Sequence, residues 1–553
     1  MSAAVPAAVP AAVPAAVPAA VPASFAFADV WEMAADALGD REALVCGDER
    51  RTYADLEDRA NRLANHLVGV GVGPGHHVGL YLENCPEYLE AMLACFKLRA
   101  VPINVNYRYV AGELRHLLDD SDAVGVLHGP HAGHIVAEVV ADLPRVGWTL
   151  STGEAYDAAL AAAPADRPPR ADRGDDDRYI IYTGGTTGRP KGVVWRQGDA
   201  FFACLGGGDP MRLAGEVASP TELPERIGDG ITYLPLAPMM HAAAQWTSFM
   251  WLFAGGRVVL MEGSLDPERL WRTVAAERVN LLTVVGDAVA KPLLDAWDAM
   301  APDARPDASS LFAISNGGAP MSVGCKARIL DRFPNVMVTD GFGSSEAGIQ
   351  GSSRVGAADL PTSGAVRFTT AGSKPFLVLD DDDRPVVPGD GVVGRIVTGG
   401  RLPLEYHKDP EKTAATFLSV DGERWLITGD LATVAEDGTV ELLGRGSTSI
   451  NTGGEKVHPE EVEGVLHGHP SVADVLVVGV PDERWGSAVT AVVQPVPGAS
   501  LDLAIVTAHC KQHLAGYKVP KHLVVVDRVV RSPAGKADYR WATDAAATAV
   551  SGS

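Results

Sequence analysis

The stretch Ile180-Ile181-Tyr182-Thr183-Gly184-Gly185-Thr186-Thr187-Gly188-Arg189-Pro190-Lys191-Gly192 decides how this chain is read. An apolar run rich in β-formers ends abruptly in a loop of glycines, two threonines and one lysine. Such a loop suits a polyphosphate: glycines let backbone N–H groups approach oxygen anions closely, hydroxyls add donors, and a lysine adds charge. It is not a Walker A loop, which needs Gly-Lys-Ser/Thr, because Pro190 precedes Lys191 and Gly192 follows it. A glycine-rich loop taken alone is as often a plain turn, so its meaning depends on the rest of the chain.

The chain has 553 residues, too many for one compact core, and length suggests about two to four domains. Hydrophobic residues at 46% and charged residues at 21% are an ordinary globular composition. A net charge of −23 repels nucleic acid and anionic lipid, so neither is expected as a partner. No apolar run reaches the length of a membrane span, so no stable membrane insertion is expected. The six cysteines are scattered, without a CxxC pair, and read as free thiols of a cytoplasmic protein with no zinc site. Val550-Ser551-Gly552-Ser553 carries no lipidation or peroxisomal signal.

Residues 1–24 are an Ala-Ala-Val-Pro repeat, in which proline at every fourth position forbids a helix. The repeat has no basic start and no uninterrupted apolar centre, so it reads as an extended or disordered tail rather than a signal peptide. From Phe25 the pattern is that of a folded body. Leu56, Ala60, Leu63, Ala64 and Leu67 give Ala54–Val70 helical spacing. His77–Leu82 reads as a strand, Glu90–Phe96 as a helix and Val101–Asn104 as a strand end. This alternation predicts an α/β fold with a mostly parallel sheet. Residues 161–177, rich in Pro, Asp and Arg, read as a surface linker. Residues 390–445 predict a small β-rich subdomain with Asp437-Gly438 as a hairpin turn. Beyond it, a helix at Pro459–His467, strands at Val472–Val480 and Ala488–Val496, and a helix at Leu501–Leu514 predict a separate α/β domain of about 100 residues.

A second motif is Asp340-Gly341-Phe342-Gly343-Ser344-Ser345-Glu346. A carboxylate at the end of such a loop suits a hard cation bridging phosphates, although an isolated glutamate is more often a solvated loop residue. Together, the two motifs resemble the phosphate loop and the aromatic-Gly-x-Thr-Glu motif of the adenylate-forming superfamily. That superfamily includes acyl-CoA synthetases, luciferases and the adenylation domains of peptide synthetases. Gly185 stands where its members most often have serine, and Ser345 replaces threonine. The resemblance covers nearly everything from Phe25 to Lys536. It implies an N-terminal domain over 25–444, a hinge at 445–447 and a small mobile C-terminal domain over 448–553.

The resemblance also implies roles. Thr183, Gly184, Gly185, Thr186, Thr187, Gly188 and Lys191 hold the phosphates, with Thr186 among the catalytic groups. Phe342, flanked by Gly341 and Gly343, stacks on adenine. Asp340 faces the adenine amino group, Ser345 contacts the α-phosphate, and Glu346 holds Mg2+. Ser315-Asn316-Gly317-Gly318-Ala319-Pro320 passes the adenine through Gly318, Ala319 and Pro320, and floors the acyl pocket through Asn316 and Gly317. Asp430 accepts hydrogen bonds from the ribose hydroxyls, as acidic residues do in dinucleotide sites, with Arg445 nearby. Taken singly, Asp430 reads equally as a turn former and Arg445 as a surface ion pair. Lys536, on the Pro/Gly loop Arg531–Lys536, contacts the substrate carboxylate and α-phosphate during adenylation, where an aligned cation lowers the barrier. Gly453, Gly454 and Glu455 form the loop that lines the pantetheine channel of CoA. Ser447 stands where the family hinge usually carries Asp or Lys.

His241, at the end of Pro235–His241, resembles a gate between acyl pocket and CoA channel, and the plain alternative is a core histidine. Ala242 and Trp246 follow it in the same pocket. No acidic residue between Ala242 and Trp246 could pair with an α-amino group, which disfavours amino-acid activation. Val194–Gln197, Gly206–Pro210 and Asn104–Tyr109 resemble actinobacterial acyl-CoA synthetases, including those acting on steroid side-chain acids. The expected activity is ATP- and Mg2+-dependent formation of acyl-AMP and then acyl-CoA from an apolar carboxylic acid, with ATP and CoA as substrates. The alternatives are an acyl-AMP ligase that loads a carrier protein and an inactive acyl-adenylate-binding regulator. A homodimer is left open.

Overall fold

The computed structural model describes residues 21–170, 172–183, 190–319, 321–356, 367–370, 375–420, 422–445, 448, 450–452, 455–482, 486–514, 516–531 and 537–551. The Ala-Ala-Val-Pro repeat up to residue 20 lies outside them. The folded body starts slightly before the expected boundary at Phe25. Pro22 is already buried, and the Ser24 hydroxyl donates to the Asp29 carboxylate at 2.6 Å.

The first layer is a parallel sheet in the order Val101–Asn104, His77–Tyr81, Ala123–His128, Trp148–Ser151. Helix Tyr53–Gly69 opens on a capping box in which Thr52 and Asp55 satisfy each other's backbone N–H groups. It buries the expected stripe of Leu56, Ala60, Leu63, Ala64 and Leu67. The helix expected at Glu90–Phe96 spans Pro86–Lys97, because Pro86 pre-sets the first turn.

The second layer places the site. Glu42–Cys46, Arg257–Leu260, Thr232–Pro235, Leu281–Val284, Ala313–Asn316 and Met337–Ser344 run parallel side by side. Gly348–Val355 turns back antiparallel on the last of them, and Arg367–Thr370 links this sheet to the β-rich subdomain. In that subdomain Glu423–Val434 and Val440–Arg445 form a hairpin around Asp437-Gly438, with Gly438 at φ 79°. Gly394–Thr398 and Phe376–Leu379 extend it.

The C-terminal unit holds Val472–Asp482, Gly486–Pro495 and His522–Val525 in one sheet. Helix Pro459–His467 lies where it was expected. The helix expected at Leu501–Leu514 is confined to Leu503–Cys510, started by the Asp502 side chain accepting from Ile505 N–H. A final helix, Tyr539–Ser551, was not anticipated. Ala542 and Ala546 are fully buried in the cluster that holds Leu476, Val478 and Val492, and Tyr539, Trp541 and Val550 of the same helix pack against it, so no leucine stripe marks its contact.

The segment 161–177 lies at the surface, as expected, with most of its described residues exposed, but its arginines tie it to the body. Arg167 pairs with Asp36 and Glu57, Arg170 with Asp29, and Arg173 with Asp29 and Glu32. Lys97, 1% exposed, joins the same carboxylates from the other side through Glu32 and Glu57. A composition rich in charge and proline looks solvated in sequence, but here acidic residues of the N-terminal helices bind it down as a strap. Among the described residues, no helix is long and apolar enough to cross a membrane.

Candidate active site

In open parallel sheets ligands bind beyond the carboxyl ends of the strands. Four neighbouring strands bring expected site residues to that edge. Their register pairs Thr283 with Pro235, Val284 with Asn316, and Asn316 with Asp340. Pro235 leads to His241, and Asn316 leads to Gly317, Gly318 and Ala319. Gly318 takes φ 80°, a backbone turn that glycine enters without strain.

Asn316 is the knot of this edge. Its Oδ1 accepts from Gly286 N–H at 2.7 Å. Its amide donates to the Ala319 carbonyl at 3.0 Å and to Asp340 Oδ1 at 2.9 Å. Asp340 Oδ2 accepts from Lys326 Nζ at 2.6 Å, in an ion pair whose side chains are 1% and 4% exposed. Asp340 Oδ2 also accepts from the Ser353 hydroxyl at 3.4 Å, so both carboxylate oxygens are oriented by protein donors, and Oδ1, with Asn316 as its one donor among the described residues, keeps a further lone pair. Lys326 was missed in the sequence. Its signal was a lysine on the buried face of helix Val323–Arg332, three and four residues before Ile329 and Leu330.

Phe342 lies half-buried between the central sheet and the β-rich subdomain, 5.4 Å from the Phe368 ring. Gly341 and Gly343 beside it are exposed. A Cβ on Gly343 would sit 2.3 Å from the Gly348 carbonyl oxygen, so no side chain fits there. The neighbouring Ser345 carbonyl accepts from Trp195 Nε1 at 3.0 Å. Glu346 Oε1 accepts from the Tyr406 hydroxyl at 2.9 Å. Trp195 and Tyr406 come from adjacent strands, Lys191–Arg196 and Glu405–Tyr406, and pin the carboxylate loop from one side. Neither was recognised as a site residue in the sequence, because 60 residues separate Tyr406 from Glu346.

Thr183 ends strand Arg178–Thr183 and is paired with Lys191 across the loop. Gly184, Gly185, Thr186, Thr187 and Gly188 lie outside the described residues. Lys191 pairs with Asp409, the residue that also caps helix Pro410–Thr416. The Lys191 ammonium, helped by the Lys412 N–H, holds the Asp409 carboxyl below its ordinary range.

His241 caps helix Ala242–Phe253. Three amides clamp the segment leading to it. Met239 N–H donates to Asn84 at 2.8 Å, the Met239 carbonyl accepts from Gln245 at 2.8 Å, and the Met240 carbonyl accepts from Asn104 at 2.7 Å. Asn104 also bonds both the N–H and the carbonyl of Tyr182, at 2.7 and 2.8 Å. One buried amide therefore joins the stem of the phosphate loop to the His241 segment. Ala242 is half-buried, and Trp246 is buried one turn further on.

Asp430 is buried and sits opposite Arg445 in the hairpin register. Glu455 begins strand Glu455–Val457. Pro320, Ser447, Gly453, Gly454 and Lys536 lie outside the described residues. Arg445 and Arg531 flank two of these gaps. The six cysteines are free, five of them buried.

The AMP-binding enzyme family model matches residues 31–404, and the AMP-binding enzyme C-terminal domain model matches residues 461–536. A medium/long-chain-fatty-acid–CoA/3-oxocholest-4-en-26-oate–CoA ligase of Mycobacterium marinum is 46% identical over 94% of this chain and 96% of its own length. A 3-oxocholest-4-en-26-oate–CoA ligase of Rhodococcus rhodochrous is 44% identical over 94% and 95%. The ATP-bound structure of MatB from Rhodopseudomonas palustris superposes with a TM-score of 0.80 at 26% identity, covering 94% of this chain and 99% of that one. With the expected site residues gathered at its strand ends and family matches over both units, this chain belongs to the AMP-binding, adenylate-forming enzymes.

Proposed function

We propose that the chain is an AMP-forming acyl-CoA synthetase that activates a large apolar acid: a medium- or long-chain fatty acid or a steroid side-chain acid. The observation that carries this reading is the row of strand ends. It sets the His241 segment, Asn316 and Asp340 side by side, in a chain 46% identical to a ligase with that activity in its name.

In the first step a carboxylate oxygen of the acid attacks the α-phosphorus of ATP, and the bond to the pyrophosphate oxygen breaks. Asp340, oriented by Lys326 and Asn316, takes the adenine amino group, Phe342 stacks on the ring, and Asp430 takes the ribose. Lys536 meets the charge that develops on the phosphate oxygens. Glu346 is the residue that would hold Mg2+. Tyr406 occupies Oε1 and, among the described residues, Oε2 accepts no hydrogen bond. That fits a cation that takes one or two carboxylates and completes its shell with phosphate and water. When bound, the ion neutralises phosphate charge. In the second step the small domain turns about the 445–447 region, the Gly453–Glu455 loop lines the pantetheine channel, and the CoA thiolate attacks the acyl carbon, expelling AMP.

Two features support an apolar acid. Helix Ala242–Phe253 runs about 18 Å from His241 at 1.5 Å per residue. Its far end, Met250 and Phe253, is buried in one apolar cluster with Phe201, Leu205 and Leu223. Residues Ala242–Trp246 offer no counter-charge to an ammonium group, whose unpaired burial would cost several kcal/mol. In a kcat/KM series from acetate upward, each added buried methylene should contribute roughly 0.8 kcal/mol over the first several carbons. Dodecanoate or a steroid side-chain acid is therefore expected to exceed acetate and every free amino acid. An optimum at acetate or at an amino acid would refute the pocket.

A further inference from the structure

Residues 532–536 are flanked by Arg531 and Ala537, which pair in an isolated β-bridge. Arg531 is gripped by Asp474 through two parallel bonds, Nε to Oδ2 at 2.7 Å and Nη2 to Oδ1 at 2.6 Å, with both side chains largely buried. A bidentate guanidinium–carboxylate pair fixes orientation as well as distance. The residue before Asp474 is held from the other domain: Lys291 Nζ donates to the Ala473 carbonyl at 2.8 Å.

Lys291 stands on helix Gly286–Ala299, and the start of that helix belongs to the nucleotide edge. Gly286 N–H donates to Asn316, and Asp287 Oδ1 accepts from Ser322 N–H at 2.8 Å. Asp287 Oδ2 lies 3.1 Å from Lys291 Nζ. His467 fills the space between the domains, with Nδ1 3.9 Å from Asp287 and Nε2 3.8 Å from Asp474. Burial lowers the pKa of its ring. A chain of side chains therefore runs from Asn316, beside Asp340, through the first turns of one helix, across the domain boundary, to the Asp474–Arg531 pair.

We propose that Asp474 and Lys291 are positioning residues for acyl-adenylate formation, which together register the Lys536 loop against the nucleotide edge of the large domain. The proposal rests on the reading of Lys536 given above. The Asp474–Arg531 pair is internal to the small domain and travels with it. The Lys291–Ala473 bond crosses the boundary, so it exists only while the small domain is seated as described. A misplacement of about 1 Å at a reacting cation costs on the order of 10²-fold in rate. Loosening either grip should therefore weaken the step that needs Lys536 and spare the one that does not.

The test compares Asp474→Asn, Asp474→Glu, Lys291→Met and Lys536→Ala with the unmodified enzyme. It measures dodecanoate-dependent ATP–pyrophosphate exchange and, separately, acyl transfer to CoA from supplied dodecanoyl-AMP. Asp474→Asn and Lys291→Met are expected to lower the kcat of exchange by about 10–100-fold, with the KM for ATP nearly unchanged and acyl transfer at the normal rate. Asp474→Glu, which keeps the charge, is expected to recover most of the loss. Unchanged exchange in both variants, or equal loss in both half-reactions, overturns the proposal. Exchange that survives in Lys536→Ala overturns the role of Lys536 itself, and the positioning role with it. Collapse in Lys536→Ala with normal exchange in the other variants removes only the positioning role. If Asp474→Asn fails to fold, Lys291→Met combined with Asp287→Asn decides, because that pair of changes removes the bond across the boundary together with the buried carboxylate that Lys291 faces.

Discussion

Replacing Lys536 by alanine is expected to slow acyl-AMP formation by about 10²–10³-fold, the usual effect of losing one aligned electrostatic contact in a transition state. Attack on the α-phosphorus builds negative charge on phosphate oxygens, and a cation placed there lowers that barrier. Attack of a thiolate on acyl-AMP builds charge on the acyl carbonyl oxygen instead, and in the proposed mechanism it follows the turn of the small domain that takes Lys536 away. Thioester formation from supplied acyl-AMP should therefore proceed at the unmodified rate. Rapid-quench measurement of the two half-reactions checks this. Equal damage to both would mean that one arrangement of the domains serves the whole reaction.

The second large effect concerns stability and nucleotide recognition together. Lys326→Met leaves the Asp340 carboxylate buried without its cation, and breaking a buried pair from one side costs about 3–5 kcal/mol. The melting temperature of the large domain should fall by several degrees, and ATP binding should weaken because the unpaired carboxylate no longer holds its orientation toward adenine. Lys326→Met combined with Asp340→Leu separates the two effects. With both charges replaced by apolar groups, stability should return most of the way, while ATP affinity stays low. Recovery of ATP affinity in the double variant would show that Asp340 does not touch the nucleotide. A single variant as stable as the parent would show that the pair carries little.

Local chemistry was legible in the sequence where neighbours in the chain are neighbours in space. The stripe from Leu56 to Leu67, the Asp437-Gly438 turn and the strand carrying Ile180 to Thr183 each follow from spacing alone. The parallel sheet followed from the alternation of elements, and with it the edge at which Asn316 and Asp340 meet. Contacts made across that edge were not legible. Tyr406 on Glu346, Trp195 on the Ser345 carbonyl and Asn104 on Tyr182 and Met240 join segments between 60 and 150 residues apart. A tyrosine or asparagine in a strand carries no local mark of its partner. The surface position of the strap at 161–177 was legible, but its ion-pair partners were not. Arg167, Arg170 and Arg173 look solvated until Asp29, Asp36 and Glu57, more than a hundred residues earlier, are seen beneath them. The buried face of helix Val323–Arg332 was the one hidden contact with a readable sign, since Lys326 interrupts an apolar stripe.

The most direct test of AMP-forming acyl-CoA synthesis is product stoichiometry with dodecanoate or a steroid side-chain acid, followed by chromatography with and without CoA. Without CoA, the enzyme is expected to exchange labelled pyrophosphate into ATP only when the acid is present, and to accumulate enzyme-bound acyl-AMP. With CoA, AMP, pyrophosphate and acyl-CoA should appear in equal amounts. Release of ADP and phosphate, or acyl-AMP that forms and is never passed to CoA, would contradict it.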